Sequence, residues 1–334
     1  MATQTGETAA TSKRSFLRAD AAQKLLAFSA LIIIFIFFSL ASPFFRTPDN
    51  VSSILVATAV NGVLALGVTF VIITAGIDLS VGTVMTLSAV MTGVAVTNRG
   101  LPIPVGIIVG LLTGTTAGLI SGLMIARMKI PPFIATLGMM MIARGLSLVI
   151  SDVKPIYFND TPVFREIMMG SVVGALIPGL SVPNAVFILF GAALVAAFIL
   201  GKTVLGRYAV AIGSNEEATR LSGVNVANWL TAVYALGGAF SGLAGVMIAS
   251  RLNSAQPALG IGYELEAIAA VVIGGTSLSG GEGTILGTVI GALIISTLTN
   301  GLRILSVPQE WQMVITGVIV VLAVYIDIIR RRGK

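Results

Sequence analysis

The sequence contains neither cysteine nor histidine, and only 10% of its 334 residues are charged. Without cysteine there are no disulfides and no thiolate chemistry. Without histidine there is no Ser-His-Asp triad, no imidazole metal ligand and no histidine proton relay. The scarcity of charge excludes more. A soluble domain carries about 25% charged residues, whereas 56% of this chain is hydrophobic and its mean hydropathy is +1.00. So few charges cannot cover the water-facing surface of a chain this long. No nucleophile–base pair or metal cluster emerges either, so the chain does not read as an enzyme.

What is present is a succession of apolar runs. A helix needs about 20 mostly apolar residues to cross the hydrocarbon core of a bilayer. Ten segments approach that length, roughly at 24–45, 51–75, 80–97, 103–127, 131–150, 183–200, 227–250, 264–275, 284–303 and 310–329. The eighth is short for a full span, so it is expected to be tilted, broken or extended by its neighbours. The 38 glycines fit this picture, because small residues let membrane helices approach closely. The expected fold is an all-α integral membrane protein with about ten transmembrane helices. Residues 1–23 are polar and small, without apolar periodicity, and read as a disordered cytoplasmic tail ahead of a membrane domain over 24–334. The first apolar run and its leader are both long for a signal peptide, so the run reads as an uncleaved anchor.

Basic residues set the orientation, because Lys and Arg accumulate in cytoplasmic loops. With the N-terminus inside, thirteen of the 20 fall on the cytoplasmic side, among them Lys13, Arg14, Arg127, Lys129, Lys202, Arg207 and Arg330–Arg332. Six fall outside, and Arg144 lies within a span. Both termini are therefore expected in the cytoplasm. The same asymmetry accounts for the net charge of +6 without invoking nucleic acid.

Two patterns suggest mechanism. Gly76-Ile77-Asp78-Leu79-Ser80-Val81-Gly82 and Gly275-Thr276-Ser277-Leu278-Ser279-Gly280-Gly281 share G-x-x-L-S-x-G, each at an expected cytoplasmic junction between apolar segments. Glycine can end the first helix in a left-handed conformation, and Asp or Ser can cap the next. One reading is a pair of similar tight hairpins. The other is a duplicated pair of helix breaks facing a translocation path, built on Gly76, Asp78, Ser80 and Gly82 and on Gly275, Ser277, Ser279 and Gly281.

The second pattern lies in the cytoplasmic loop 201–226. Ser214-Asn215-Glu216-Glu217 reads as a capping box, with Ser214 bonding the Glu217 amide and Glu217 reaching back. Gly223 is a natural helix stop. Glu216 and Arg220 are spaced for an ion pair, and Ala218 and Leu221 share a face. An isolated helix this short is marginal in water. It either lies on the membrane surface or docks in a groove on a cytoplasmic partner.

An engine on this chain is hard to find. Gly201-Lys202-Thr203 looks like the end of a phosphate-binding loop, but position 196, where the earlier glycine belongs, is alanine inside an apolar run. Ion coupling calls for carboxylates within the bilayer. Asp78 reads as a helix cap at a membrane edge, and Glu264 and Glu266 read as favourable charges at the start of the eighth segment. Asn61, Asn300 and Gln312 sit in spans and could line a sugar path; interhelical hydrogen bonding is the plainer reading for each. A stand-alone secondary transporter or channel remains the alternative to an importer driven by a separate ATPase.

The residues resemble a known family. Thr74 through Gly82, Phe133-Ile134-Ala135-Thr136-Leu137, Leu205-Gly206-Arg207-Tyr208, Asn215 through Asn225, Ser254-Ala255-Gln256-Pro257 and Gly262 through Gly281 are similar, in order, to the ribose-type permease subunits of bacterial ABC monosaccharide importers. The resemblance covers roughly residues 45–327. It implies a pair of permeases, identical or similar, in the inner membrane, a cytoplasmic ATPase subunit and a periplasmic sugar-binding protein. It implies no cofactor on this chain, with ATP and Mg on the partner subunit. It places ATPase coupling on 205–225, and so on Gly213, Ser214, Asn215, Glu216, Glu217, Arg220, Leu221 and Gly223.

A reporter enzyme fused after Lys334 should read as cytoplasmic in intact cells. A periplasmic signal would overturn the orientation derived from the basic residues.

Overall fold

The structure, a computed structural model, describes residues 27–177 and 181–332. The tail expected over 1–23 lies outside the described residues. Each of the ten apolar segments is helical. They form α1 (Ala27–Ala41), α2 (Pro48–Ile73), α3 (Val81–Gly93, continued by a π-helical turn Val94–Asn98), α4 (Ile103–Ala126) and α5 (Pro132–Ile150). After two short helices, α6 (Val163–Met169) and α7 (Val172–Leu176), come α8 (Asn184–Lys202), α9 (Val204–Ser214) and α10 (Glu216–Leu221). The chain closes with α11 (Val226–Leu252), α12 (Tyr263–Ile273), α13 (Ile285–Ile304) and α14 (Gln309–Arg332). Seven of these helices, α2, α3 with its π turn, α4, α5, α8, α11 and α13, are long and apolar enough to cross a membrane. α1 and the apolar part of α14 are shorter, and α12 has 11 residues.

α2 forms the centre. Every residue from Thr58 to Ile73 is buried, so this helix is apolar all round rather than on one stripe. α8, α11, α12 and α13 pack against it. α5 and α8 lie outside and present Phe133, Ile134, Met141, Phe187, Phe190 and Phe198 outward. That is the surface a lipid-facing helix needs, because lipid tails are as apolar as these side chains.

The tightest packing is between α4 and α11. Gly106, Gly110, Gly114, Gly118 and Gly122 recur every four residues on α4 and so line one face. Gly238 and Gly242 of α11 meet them backbone to backbone: a Cβ on Gly114 would overlap the Gly238 carbonyl, and one on Gly238 would overlap the Gly114 carbonyl. This four-residue spacing is present in the sequence.

The short eighth segment has a structural reason. After α11 the chain forms β2 (Ser254–Ala255), antiparallel to β1 (Ile156–Tyr157), with Ala255 beside Gly93 of α3. It then passes through a turn, in which the Leu259 amide donates to the Gln256 carbonyl at 3.2 Å, to the point beside α3 where Gly260 meets Gly82. Those 11 residues of α3 cover about 16 Å. Non-helical backbone buried in a membrane protein must be satisfied by the protein itself. Here Thr86 Oγ1 donates to the Leu259 carbonyl at 2.8 Å, and the Gly262 amide donates to the Glu264 carboxylate at 3.0 and 3.1 Å. α12 begins only after this descent, so an 11-residue helix suffices.

Gly114→Val should lower the thermal unfolding midpoint in detergent by several degrees, matching an over-packing cost of about 1–3 kcal/mol. Gly191→Val on α8, where nothing lies within 4 Å of the added Cβ, should leave it unchanged. Equal midpoints would contradict the α4–α11 contact.

Candidate functional site

α2 and α12 stop in the same way. After α2, the Ala75 amide donates to the Ile72 carbonyl at 2.9 Å and the Gly76 amide to the Val71 carbonyl at 3.1 Å. After α12, the Gly275 amide donates to the Val272 carbonyl at 2.9 Å and the Thr276 amide to the Val271 carbonyl at 3.1 Å. These paired bonds are the Schellman arrangement that satisfies terminal carbonyls. Each requires a left-handed residue, supplied by Ala75 at φ 60° and Gly275 at φ 94°.

A polar turn follows each stop. Asp78 Oδ1 accepts from the Ser80 amide at 2.8 Å and the Ser80 hydroxyl at 2.6 Å. Ser277 Oγ accepts from the Ser279 amide at 3.1 Å. The turns are therefore in the register of the sequence echo, Asp78 matching Ser277, whereas the helix stops match Ala75 with Gly275. The second break is one residue tighter before its turn and longer after it. Ser80 leads directly into α3, while Gly280, Gly281, Glu282 and Gly283 intervene before Thr284 caps α13, its hydroxyl accepting from the Gly287 amide at 3.1 Å.

The first break mixes exposed residues, Ala75 and Ile77, with buried polar side chains. Asp78 and Ser80 are both 2% exposed, and Gly76 lies against the Tyr234 hydroxyl, eight residues or about 12 Å along α11. The expected helix cap is replaced: Ser80 precedes α3 without a side-chain bond to it, and Asp78 spends its carboxylate on Ser80. The Tyr234 hydroxyl is buried and unpartnered beside this turn. Sequence reading missed Tyr234, since nothing distinguishes a lone tyrosine in an apolar helix.

The residues expected to couple to an ATPase lie on α9 and α10. α9 is capped by Thr203, whose hydroxyl accepts from the Gly206 amide at 3.4 Å, and it buries Gly206, Ala209 and Ile212. The expected capping box is displaced by one residue. Asn215 is the cap of α10, its Oδ1 accepting from the Ala218 amide at 2.9 Å. Ser214 instead ends α9 and donates its hydroxyl to the Val210 carbonyl at 2.8 Å. Its amide already belongs to α9 and is not free to meet Glu217. Glu216 and Arg220 form an ion pair on the solvent side, and Gly223 closes the helix at φ 83°. Leu221 stands 83% exposed beside charged Glu216, Glu217 and Arg220. An apolar side chain left open on a six-residue helix is what a docking contact requires.

Gly213 and Ser214 lie directly against Gly280 and Gly281, so the end of α9 and the second break are in contact. The three polar residues of the possible sugar path do not converge. Asn61 Nδ2 donates to Glu266 Oε2 at 2.7 Å, Asn300 Nδ2 donates to Asn50 Oδ1 at 2.9 Å, and Gln312 Nε2 donates to the Val307 carbonyl at 2.7 Å. The first two bonds join helices across the bundle, α2 to α12 and α13 to α2. Glu264 and Glu266 occupy the first turn of α12, after the non-helical stretch beside α3, and Glu264 is buried.

A helical membrane domain with two matched breaks and a short helix bearing an exposed leucine is thus in place, and kinship shows which family it belongs to. The family model described as branched-chain amino acid transport system / permease component matches residues 50–324. The chain belongs to this family of permease components. Among its relatives, the ribose import permease protein RbsC of Bacillus subtilis is 45% identical over 306 residues, 91% of this chain and 92% of that protein. The RbsC protein of Haemophilus influenzae is 44% identical over 303 residues, 90% and 91% of the two chains. The D-allose transport system permease protein AlsC of Escherichia coli K12 is 37% identical over 300 residues, 90% of each. No solved structure matches the chain. The permease is thus a multi-pass inner-membrane protein, and the matched region includes both breaks and the coupling element.

Proposed function

We propose that this permease is the membrane-spanning subunit of an ABC importer that carries a monosaccharide, ribose or a closely related sugar, into the cytoplasm. The observation that carries the reading is identity of 45% and 44% to two ribose import permeases across nine-tenths of each chain. Relatives whose names give D-allose and xylose follow at 37% and 34%. That series favours an aldose over the branched-chain amino acid of the family's description.

The chain performs no covalent chemistry in this reading. Loaded sugar-binding protein docks on the outer face. ATP, with Mg, binds a separate cytoplasmic ATPase subunit, whose closure moves α9 and α10. Two permease copies then rock and pass the sugar between them. Ten crossings with both termini cytoplasmic fit the ten helices, provided that α1, α12 and α14 cross with the aid of their flanking segments. The exposed Leu221 supports docking of α10 on a partner. Burying one leucine contributes about 1.5–3 kcal/mol, or about 10- to 100-fold in affinity.

Affinity purification of the tagged chain from its native membrane should recover an ATP-binding subunit, and a sugar-binding protein when ribose is present. Leu221→Ser should leave the permease inserted but weaken retention of the ATPase about tenfold or more. Recovery of the chain alone, or undiminished retention by the variant, would count against the importer reading or the docking contact respectively.

A further inference from the structure

The last turn of α9 reaches past the surface of the bundle and ends on backbone. Gly213 lies so close to the Ile73 carbonyl that a Cβ would overlap it, and that Cβ would sit 2.6 Å from the Gly281 amide nitrogen. This carbonyl and this amide are bonded to each other at 2.8 Å. Ile73 is the last residue of α2, and Gly281 belongs to the second break. The two breaks are therefore stitched together by one backbone hydrogen bond, and the coupling element is seated on the stitch. Gly280 extends the contact, because a Cβ there would meet the Gly213 carbonyl at 2.8 Å and the Ala75 Cβ at 2.9 Å.

The seat is stiff. No side chain intervenes between α9 and the stitch, so no rotamer change can absorb a displacement. α9 itself is held by its Thr203 cap and by Tyr208, whose ring packs edge-on against Trp229 with centroids 5.0 Å apart. The Ile73 carbonyl is one of the groups that a helix C-terminus leaves without an intrahelical partner. Its bond to Gly281 consequently ties the end of α2 to whatever moves the second break.

We propose that the Ile73–Gly281 bond, with Gly213 seated on it, is the joint through which movement of α9 and α10 reaches both helix breaks together. Gly213 is a positioning residue: it touches no sugar, and its lack of a side chain lets three distant segments meet at their backbones. The proposal rests on the reading of α9 and α10 as the ATPase-coupling element and adds where their motion goes. The stops of α2 and α12 are then driven as a pair, which accounts for one coupling element serving two breaks.

The test uses the complete importer with its ATPase and binding protein. Gly213→Ala should still be recovered in the membrane fraction, while sugar uptake falls about tenfold or more, since packed joints shift between discrete arrangements rather than deform. Uptake equal to that of the unmodified protein would overturn the joint. Hydrogen–deuterium exchange on the unmodified complex, with and without a non-hydrolysable ATP analogue, supplies a readout that does not depend on the variant folding. Exchange over 74–80 and 275–283 should change together with that over 210–216. A change confined to 210–216 would refute the joint while leaving the coupling element intact. No nucleotide response over 210–216 would remove the coupling reading and the joint with it.

Discussion

A backbone amide or carbonyl inside a bilayer has no water to bond, and this constraint governs the permease. Continuous helices meet it automatically. This chain interrupts two of its helical paths inside the protein and must satisfy the freed groups locally. It does so twice with the same devices: a Schellman stop on α2 and α12, then a turn held by Asp78 or Ser277. The one terminal carbonyl noted across the breaks, that of Ile73, is met by Gly281 from the other break. Satisfaction of the backbone and linkage of the two breaks are thus one interaction.

The surrounding bundle follows from the same economy of polar groups. Buried hydroxyls return to the carbonyl four residues back, as Thr58, Thr69 and Ser147 do. Longer polar side chains bond between helices, as Asn61 does with Glu266 and Asn300 with Asn50. Where no side chain can be accommodated, glycine brings backbones together, along α4 against α11 and at Gly213. Apolar side chains are left open on α5 and α8, and at Leu221 on α10.

The helices were legible because membrane length and apolar composition are written in single segments; all ten predicted segments are helical. The four-residue glycine spacing on α4 lies in the sequence too, but the abundance of glycine alone does not say which face is tightest. What sequence could not supply was depth and register. The echo of Gly76 and Gly275 located both breaks but aligned them one residue out at the helix stops, because Ala75 rather than Gly76 takes the left-handed position. The cap of α10 slipped from Ser214 to Asn215 because α9 runs up to Ser214 and uses its amide. The non-helical stretch from Ser254 to Gly262 has no apolar period of its own, so only the shortness of the eighth segment hinted at it. Contact between Gly213 and Gly281 joins residues 68 positions apart and leaves no local signal.

The central claim is that the energy for transport comes from outside this chain and enters through its cytoplasmic helices. The most direct measurement is radiolabelled ribose uptake in proteoliposomes, comparing the permease alone under imposed proton and sodium gradients with the permease joined to its ATPase and binding protein. Uptake that requires ATP and both partners, and is absent for the permease alone under either gradient, is the predicted result. Ribose accumulation by the permease alone, driven by an ion gradient, would contradict the account.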